Sequence, residues 1–203
     1  MKHLKSLCII GLALLAFTAA EWARTDENMT YPQEKNYLID DFQSENVASM
    51  GTVWRMFTDR VMGGLSNGTA NYEIQDDRRC LRLRGDVSLE NNGGFIQVAL
   101  PLEKSGIPFD ASEYAGVRAT VKGNGEDYYI HLRTTRTRRP WQYYGAPFST
   151  TGNWQTIDIA FSLFKAENLS FPLDTKELQR IAVVGIKKEF RADIAIDRLE
   201  FYR

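Results

Sequence analysis

Apolar and polar side chains alternate with a period of two along the chain from Leu38 onward. Leu81 and Leu83 alternate with Arg82 and Arg84, and similar alternation occurs at residues 96–100, 117–122, 130–133 and 157–159. A period of two puts successive side chains on opposite faces of a strand, whereas a helix gives a period near 3.6. The pattern therefore predicts antiparallel strands with one buried face and one solvated face.

Turn-forming residues divide this alternation into short segments, as at Gly63-Gly64, Asn67-Gly68 and Gly123-Asn124-Gly125. Many short strands separated by turns are typical of β-sandwiches. The long connection over residues 162–178 breaks an even meander, which favours two packed sheets over a closed barrel. We predict an all-β fold: an antiparallel two-sheet β-sandwich of the jelly-roll type, with little helix.

Two local features refine this prediction. Ile194 and Ile196 share one parity, but Leu199 and Phe201 share the other, so a bulge at residues 197–198 is expected to restore the buried face. Residues 85–95 include Asn91-Asn92-Gly93-Gly94, whose residues tolerate positive φ. This composition predicts a hairpin turn.

The N-terminus has the features of a secretory signal. Lys2, His3 and Lys5 precede an apolar run over residues 7–17, and small residues follow at 18–20. The run is shorter than the roughly 20 residues of a membrane span. We expect a signal peptide at residues 1–20, a polar linker at 21–37 and a single domain at 38–203. The protein is then periplasmic or secreted, with membrane attachment only if the leader stays uncleaved.

Composition narrows the function classes. The formal net charge is −1, so no global basic field attracts nucleic acid. Catalytic motifs and cofactor-binding loops are absent from the sequence, and His131 is the one histidine beyond the leader. We expect no catalytic residue and no cofactor. Asp41 and Asp197, near the two ends of the domain, are weak candidates for a structural calcium site.

Two stretches are candidates for binding. The first, residues 54–66, contains Asp59 followed by Gly63-Gly64; it fits either a ligand loop or a structural turn in which Asp59 caps N–H groups. The second places Tyr129, His131 and Arg133 on one face of a strand, before a loop with Trp141 and Tyr143. Arginine grips oxyanions and aromatic rings stack on ligands, but a solvated face with a mobile basic loop has the same composition.

These stretches also carry a family resemblance. Residues 59–66, Asp-Arg-Val-Met-Gly-Gly-Leu-Ser, and residues 91–95, Asn-Asn-Gly-Gly-Phe, resemble the complex I intermediate-associated protein family over about 38–203. The resemblance implies a galactose-binding-like β-sandwich. It also implies that the family's motif positions are a shared structural or binding feature, here at Trp54, Asp59, Met62, Ser66, Asn91 and Asn92 together with the glycines.

Well-known eukaryotic members of that family are non-catalytic factors in the assembly of respiratory complex I. The resemblance therefore favours a non-catalytic binding protein of assembly-factor or chaperone type, with a protein partner. A carbohydrate-binding module that stacks sugars on Trp141 or Tyr143 is the alternative. An enzyme that uses Asp59 and Glu90 is a third hypothesis, since paired carboxylates can hydrolyse glycosidic bonds.

Overall fold

The computed structural model describes residues 35–203, except for the side chain of Asn92. The expected signal peptide and most of the expected linker lie outside the described residues. Between residues 35 and 203 no helix is long and apolar enough to cross a membrane.

The described residues form twelve strands: β1 Tyr37–Asp40, β2 Arg55–Thr58, β3 Asn67–Gln75, β4 Arg78–Val87, β5 Phe95–Pro101, β6 Gly116–Lys122, β7 Asp127–Thr134, β8 Tyr143–Ser149, β9 Gln155–Ala160, β10 Lys165–Glu167, β11 Leu178–Ile186 and β12 Phe190–Tyr202. The helical elements are single 3₁₀ turns at Asp59–Met62, Glu90–Asn92, Phe161–Leu163 and Thr175–Glu177.

These strands form two antiparallel sheets, which confirms the predicted fold class. In the first sheet the order is β3-β4-β12-β6-β9, with β1 also paired to β12. In the second sheet the order is β10-β8-β7-β11-β5-β2. The inward-facing side chains of both sheets make one core, to which Leu83, Val121, Ile130 and Leu132 belong.

The bulge in the last strand is also confirmed. The register of β12 against β6 shifts between Ile196 and Arg198, one residue either side of Asp197. As a result Ile194, Ile196, Leu199 and Phe201 are all fully buried. The extra residue therefore keeps a long strand in phase with the core on both sides of the shift.

The predicted hairpin at residues 85–95 is wrong. The connection after β4 leaves the first sheet and enters the second at β5, so the flanking strands do not pair. Asn91 has φ 55° and Gly94 has φ 132°, so the residues that tolerate positive φ do turn the chain sharply. The turn serves a crossover between sheets, and this crossover brings Gly93 and Gly94 against the outer face of the second sheet.

Candidate functional site

The outer face of the second sheet carries an apolar floor of its own. Ala99, Ala182 and Val184 alternate with core residues and form a second buried cluster, with Phe57, Phe95, Tyr129 and Ile186 packed against it. A groove with a volume of about 260 Å³ opens over this floor. Binding sites for small molecules are typically concave and mostly apolar, with a few polar groups at fixed positions.

Aromatic rings form one side of the groove. The rings of His131 and Tyr143 stack with centroids 3.8 Å apart and planes 13° apart, and Tyr129 meets His131 edge-on at 6.1 Å. Trp141 also lines the groove and is 51% exposed. Its loop is tethered to the segment after β10, because Asn168 Nδ2 donates to the Trp141 carbonyl oxygen at 3.3 Å. The groove therefore presents one open ring beside a fixed stacked pair.

His131 has an unusual environment for a polar side chain. It is 7% exposed, and its Nε2 has no hydrogen-bond partner among the described residues. Burial, together with the nearby Lys187 ammonium, lowers the pKa of His131 to about 3. The imidazole is therefore neutral near pH 7, and one buried ring nitrogen is left unsatisfied beside the groove.

An ion pair lies next to the aromatic rings, because Glu167 is the cross-strand partner of Tyr143. Lys187 Nζ is 3.8 Å from Glu167 Oε2 and lies 5.0 Å from the centre of the Tyr129 ring. Both side chains are about half exposed, so the pair itself adds little stability. The pair places a hydrogen-bond donor, Lys187, and an acceptor, Glu167, beside the apolar floor of the groove.

The rim of the groove is formed by two loops that are both held by the Asp59 carboxylate. Asp59 is fully buried. It accepts hydrogen bonds from the backbone N–H of Ser66 at 3.0 Å, of Gly94 at 2.6 Å and of Phe95 at 3.3 Å, and from the Ser66 hydroxyl. The Ser66 oxygen in turn accepts the Ser88 N–H at 2.9 Å. One carboxylate thus joins the loop before β3 to the loop before β5.

This arrangement changes the acidity of Asp59. Burial raises the pKa of the carboxyl, but the hydrogen bonds from Ser66, Gly94 and Phe95 outweigh burial and hold the pKa below its ordinary value. Asp59 is therefore ionised at neutral pH, in the state that accepts all these donors.

Two glycines leave the space that the carboxylate occupies. A Cβ added at Gly64 would overlap the Asp59 carboxyl carbon, and a Cβ at Gly93 would lie 2.5 Å from Asp59 Oδ2. Gly64 and Gly93 come from the two different loops. Each of the two family motifs therefore supplies a glycine whose lack of a side chain lets the Asp59 carboxylate lie close to the backbone.

Sequence comparison places these two loops in a known family. The family described as Complex I intermediate-associated protein 30 matches residues 41–193, a span that contains both loops. The chain belongs to the complex I intermediate-associated protein 30 family. No curated protein sequence matches the chain.

Solved structures are similar in fold. A family 11 carbohydrate-binding module from Clostridium thermocellum, in complex with a beta-1,3-1,4-mixed-linked tetrasaccharide, has a TM-score of 0.64 and 13% identity, covering 82% of this chain and 95% of that chain. A family 30 carbohydrate-binding module has a TM-score of 0.53 and 17% identity, covering 84% and 90%. At these identities the similarity establishes the β-sandwich fold that the family resemblance implied.

Some predicted site residues meet in one place. Met62, His131, Trp141 and Tyr143 line the groove, and Tyr129 packs against its floor. Arg133 lies beside them: its Nη2 donates to the carbonyl oxygens of Thr137 at 2.9 Å and Arg139 at 3.0 Å. Strand β7 and the loop with Trp141 and Tyr143 therefore form one surface together with the loop at residues 59–66, which carries the first family motif.

Other predicted site residues lie elsewhere. Trp54 is a correction: it is buried, stacks on Phe42 and donates from Nε1 to Asp40 Oδ2 at 2.7 Å, so it is a core residue. Asp59 and Ser66 are buried beneath the rim and position it from below. Asn91 is exposed and shapes its loop with positive φ. Asn92 belongs to the same turn, and its side chain is outside the described structure.

The calcium candidates gain no support. Asp41 accepts from the Ser49 hydroxyl at 2.9 Å, and Asp197 pairs with Arg78 at 2.7 Å. Within residues 35–203 no group of three potential ligand side chains could hold a metal ion. Each carboxylate therefore has a local partner, and the two do not belong to a ligand group.

Sequence reasoning did not identify several groove residues. Leu89, Glu167 and Lys187 all line the groove but were not singled out. Glu167 belongs to a three-residue strand, which is too short to produce an alternation. Leu89 lies in the crossover that was predicted as a hairpin, so its approach to the second sheet was not anticipated.

Proposed function

We propose that this chain is a non-catalytic binding protein whose groove on the second sheet holds a saccharide. The observation that carries this proposal is the open Trp141 ring beside the stacked His131–Tyr143 pair, above an apolar floor. Aromatic faces supply a large contact area at small entropic cost. The groove of about 260 Å³ is close to the lower limit of roughly 300 Å³ for ligand pockets, which suits one or two sugar rings.

Polar groups around the floor fit the same ligand. The Glu167–Lys187 pair and His131 offer acceptors and donors in the lining of the groove. Sugar hydroxyls both donate and accept, so these mixed groups suit them. The family 11 module of similar fold was solved with a tetrasaccharide, which supports this ligand class.

A protein partner is the second candidate, and a specific observation favours it. The family loops expose large apolar side chains at the rim: Val61 is 68% exposed, Met62 42% and Leu89 47%. Clustered exposed apolar groups mark interaction sites more often than scattered ones do. Membership of a family named for complex I intermediates points the same way, toward an assembly-factor or chaperone role.

The cellular setting is also a proposal. Residues 1–20 act as an export signal, residues 21–37 act as a tether, and residues 38–203 act as one binding domain outside the cytoplasm. Catalysis is not part of this proposal. The His131 side chain makes no hydrogen bond within the described residues, so no nucleophile or orienting carboxylate among them is coupled to its ring.

Replacement of Trp141 with alanine tests the saccharide proposal. We expect the dissociation constant for an oligosaccharide ligand to rise roughly thirtyfold, because loss of a central aromatic contact costs about 2 kcal/mol. The unfolding midpoint should change little, since Trp141 is half exposed. Isothermal titration of the full chain against neutral and acidic oligosaccharides measures the first quantity, and thermal unfolding measures the second.

Trp154→Ala is the matched control. Trp154 follows the Thr151-Gly152-Asn153 turn and donates from Nε1 to Asp76 at 3.1 Å, away from the groove. Its loss should leave saccharide affinity unchanged. Equal affinity of wild type and Trp141→Ala would overturn the saccharide proposal, and so would lack of binding by every oligosaccharide; the second result would favour the protein-partner candidate.

A further inference from the structure

A small recess opens beside the groove. It has a volume of about 30 Å³, and Gln97, His131, Arg133, Tyr143 and Arg180 are among the residues that line it. Gln97, His131 and Tyr143 also line the groove, so the two spaces share a wall. A water needs roughly 10–15 Å³ of such volume. The recess therefore accommodates one small polar group attached to a ligand in the groove.

The recess contains two like charges in direct opposition. Arg133 on β7 and Arg180 on β11 are cross-strand partners, and both are half-buried. Like charges placed opposite each other destabilise a sheet. Burial lowers the pKa of Arg133, and the neighbouring Arg180 charge adds to this effect. The electrostatic repulsion between Arg133 and Arg180 is therefore a cost to stability that the fold retains.

No carboxylate compensates this pair among the described residues. Neither Arg133 nor Arg180 has an ion pair there. The Arg180 guanidinium makes no hydrogen bond within residues 35–203, and it lies 5.9 Å from the centre of the Phe57 ring. Arg133 uses Nε and Nη2 to hold its own loop. The nearby Glu167 is engaged with Lys187 instead.

Several strand arginines on the first sheet are paired with carboxylates. On that sheet Arg82 binds Asp193 at 2.7 Å and Arg118 binds Asp158 at 2.6 Å. Arg84 also pairs, with Glu73. The unmatched pair on the second sheet is therefore not a general feature of the strand arginines in this protein.

Two further groups around the recess lack protein partners. His131 Nε2 is buried without a hydrogen bond, and the side chain of Gln97 makes none within residues 35–203. Of these two groups only the His131 nitrogen is fully buried, and unsatisfied buried polar groups are uncommon because each costs about 1–3 kcal/mol. Four polar side chains with unused capacity thus surround a space that is sized for one small group.

We propose that the saccharide is acidic, and that its carboxylate or sulfate oxygens bind in the recess between Arg133 and Arg180. Two oxygens of such an anion accept two parallel hydrogen bonds from a guanidinium, and the negative charge offsets the repulsion between the arginines. The neutral His131 ring can donate from Nε2 to the same oxyanion. The sugar ring to which the anion is attached then lies in the groove beside Trp141. This inference rests on the proposed function and specifies its ligand.

The test compares ligands that differ in charge. The full chain is titrated calorimetrically with trigalacturonate and with its methyl ester, and with a sulfated carrageenan tetrasaccharide and its desulfated form. At least one acidic member should bind about tenfold or more tightly than its neutral counterpart, because charge-assisted hydrogen bonds are among the strongest. The pair that shows this preference identifies the anion as carboxylate or sulfate.

Arg180→Gln should abolish the preference while the neutral counterpart binds as before. The matched control is Arg55→Gln, which removes the same charge from an exposed residue of β2 that does not line the recess. That variant should keep the preference. Because Arg180→Gln relieves repulsion, its unfolding midpoint should stay equal to that of wild type or rise, whereas a structural role for Arg180 would lower it.

The possible failures are distinguishable. If neutral members bind with a Trp141-dependent affinity that equals or exceeds that of the acidic members, the acidic-ligand inference is overturned and the saccharide proposal stands. Retention of an acidic preference in Arg180→Gln would also overturn the inference. If no probe binds, neutral or acidic, both the inference and the saccharide proposal fail.

Discussion

Asp59→Asn should lower the free energy of unfolding by about 3 kcal/mol. Asp59 Oδ2 accepts from Gly94, Phe95 and the Ser66 hydroxyl, and Oδ1 accepts from Ser66 N–H. An asparagine replaces one of these acceptors with an NH₂ donor, which then faces other donors in a fully buried place. For a domain of this size the midpoint of thermal unfolding should fall by about 10 °C. Calorimetry or denaturant titration measures the effect.

The pH dependence of this effect has a definite sign. The folded-state pKa of Asp59 lies below its ordinary value, so the ionised carboxylate contributes stability above about pH 4. That contribution is lost as the pH falls through the folded-state pKa. The difference between wild type and Asp59→Asn should therefore be largest near neutral pH and should narrow below about pH 4.

Asp77→Asn is the control for Asp59→Asn. Asp77 is exposed and lies in the turn between β3 and β4 with φ 62°, a conformation that asparagine also tolerates. The control should change the unfolding free energy by less than about 0.5 kcal/mol. If both substitutions had equally small effects, the two family loops could not be held together by the Asp59 carboxylate.

Gly64→Ala should cost about 2–3 kcal/mol of stability and should also weaken ligand binding. The new Cβ would overlap the Asp59 carboxyl. The carboxyl cannot move aside without breaking some of the four hydrogen bonds that it accepts. The loop that carries Met62 must then shift at the groove rim. Denaturant titration measures the stability loss, and calorimetric titration with a bound oligosaccharide measures the change in affinity.

Gly152→Ala gives a matched comparison for the same chemical change. A Cβ at Gly152 meets nothing within 4 Å, and this residue does not have positive φ. Its replacement should be neutral or stabilising by up to about 1 kcal/mol, since alanine restricts the unfolded chain. A Gly64→Ala protein as stable as Gly152→Ala would mean that the close approach of Asp59 does not require glycine at position 64.

The sheets could be predicted because their pattern is local. Alternation at Leu81–Arg84 and the parity change around Asp197 reflect the faces of single strands, and both were confirmed. The crossover after β4 could not be predicted in the same way. Positive-φ residues such as Asn91 and Gly94 permit any sharp turn, so they do not determine whether the next strand pairs or joins the other sheet.

The candidate site was predictable in part for the same reason. Tyr129, His131 and Arg133 share a strand face, so their proximity follows from period two. For Asp59 the sequence left a ligand loop and a turn cap both open. Its donors at Gly94 and Phe95 could not be predicted, because they are 35 and 36 residues distant in sequence. Arg180 was missed because β11 has apolar residues on both faces, which hides its alternation.

Trp54 illustrates the opposite error. An aromatic residue near a glycine-rich loop and within a family motif suggested a contact with ligand. In the structure its indole N–H instead donates a buried hydrogen bond to Asp40, 14 residues earlier in the sequence. A motif position can therefore serve the core, and the sequence alone does not separate this role from binding.

The most direct test of the account is a map of the ligand on the protein. The isotopically labelled full chain is titrated with the oligosaccharide that binds most tightly, and backbone amide shifts are followed by NMR. Shifts concentrated at residues 93–97, 131–133, 140–143 and 180–187 would agree with binding in the groove and recess on the second sheet. Shifts concentrated on the outer face of the first sheet, or around residues 161–175, would contradict the central claim.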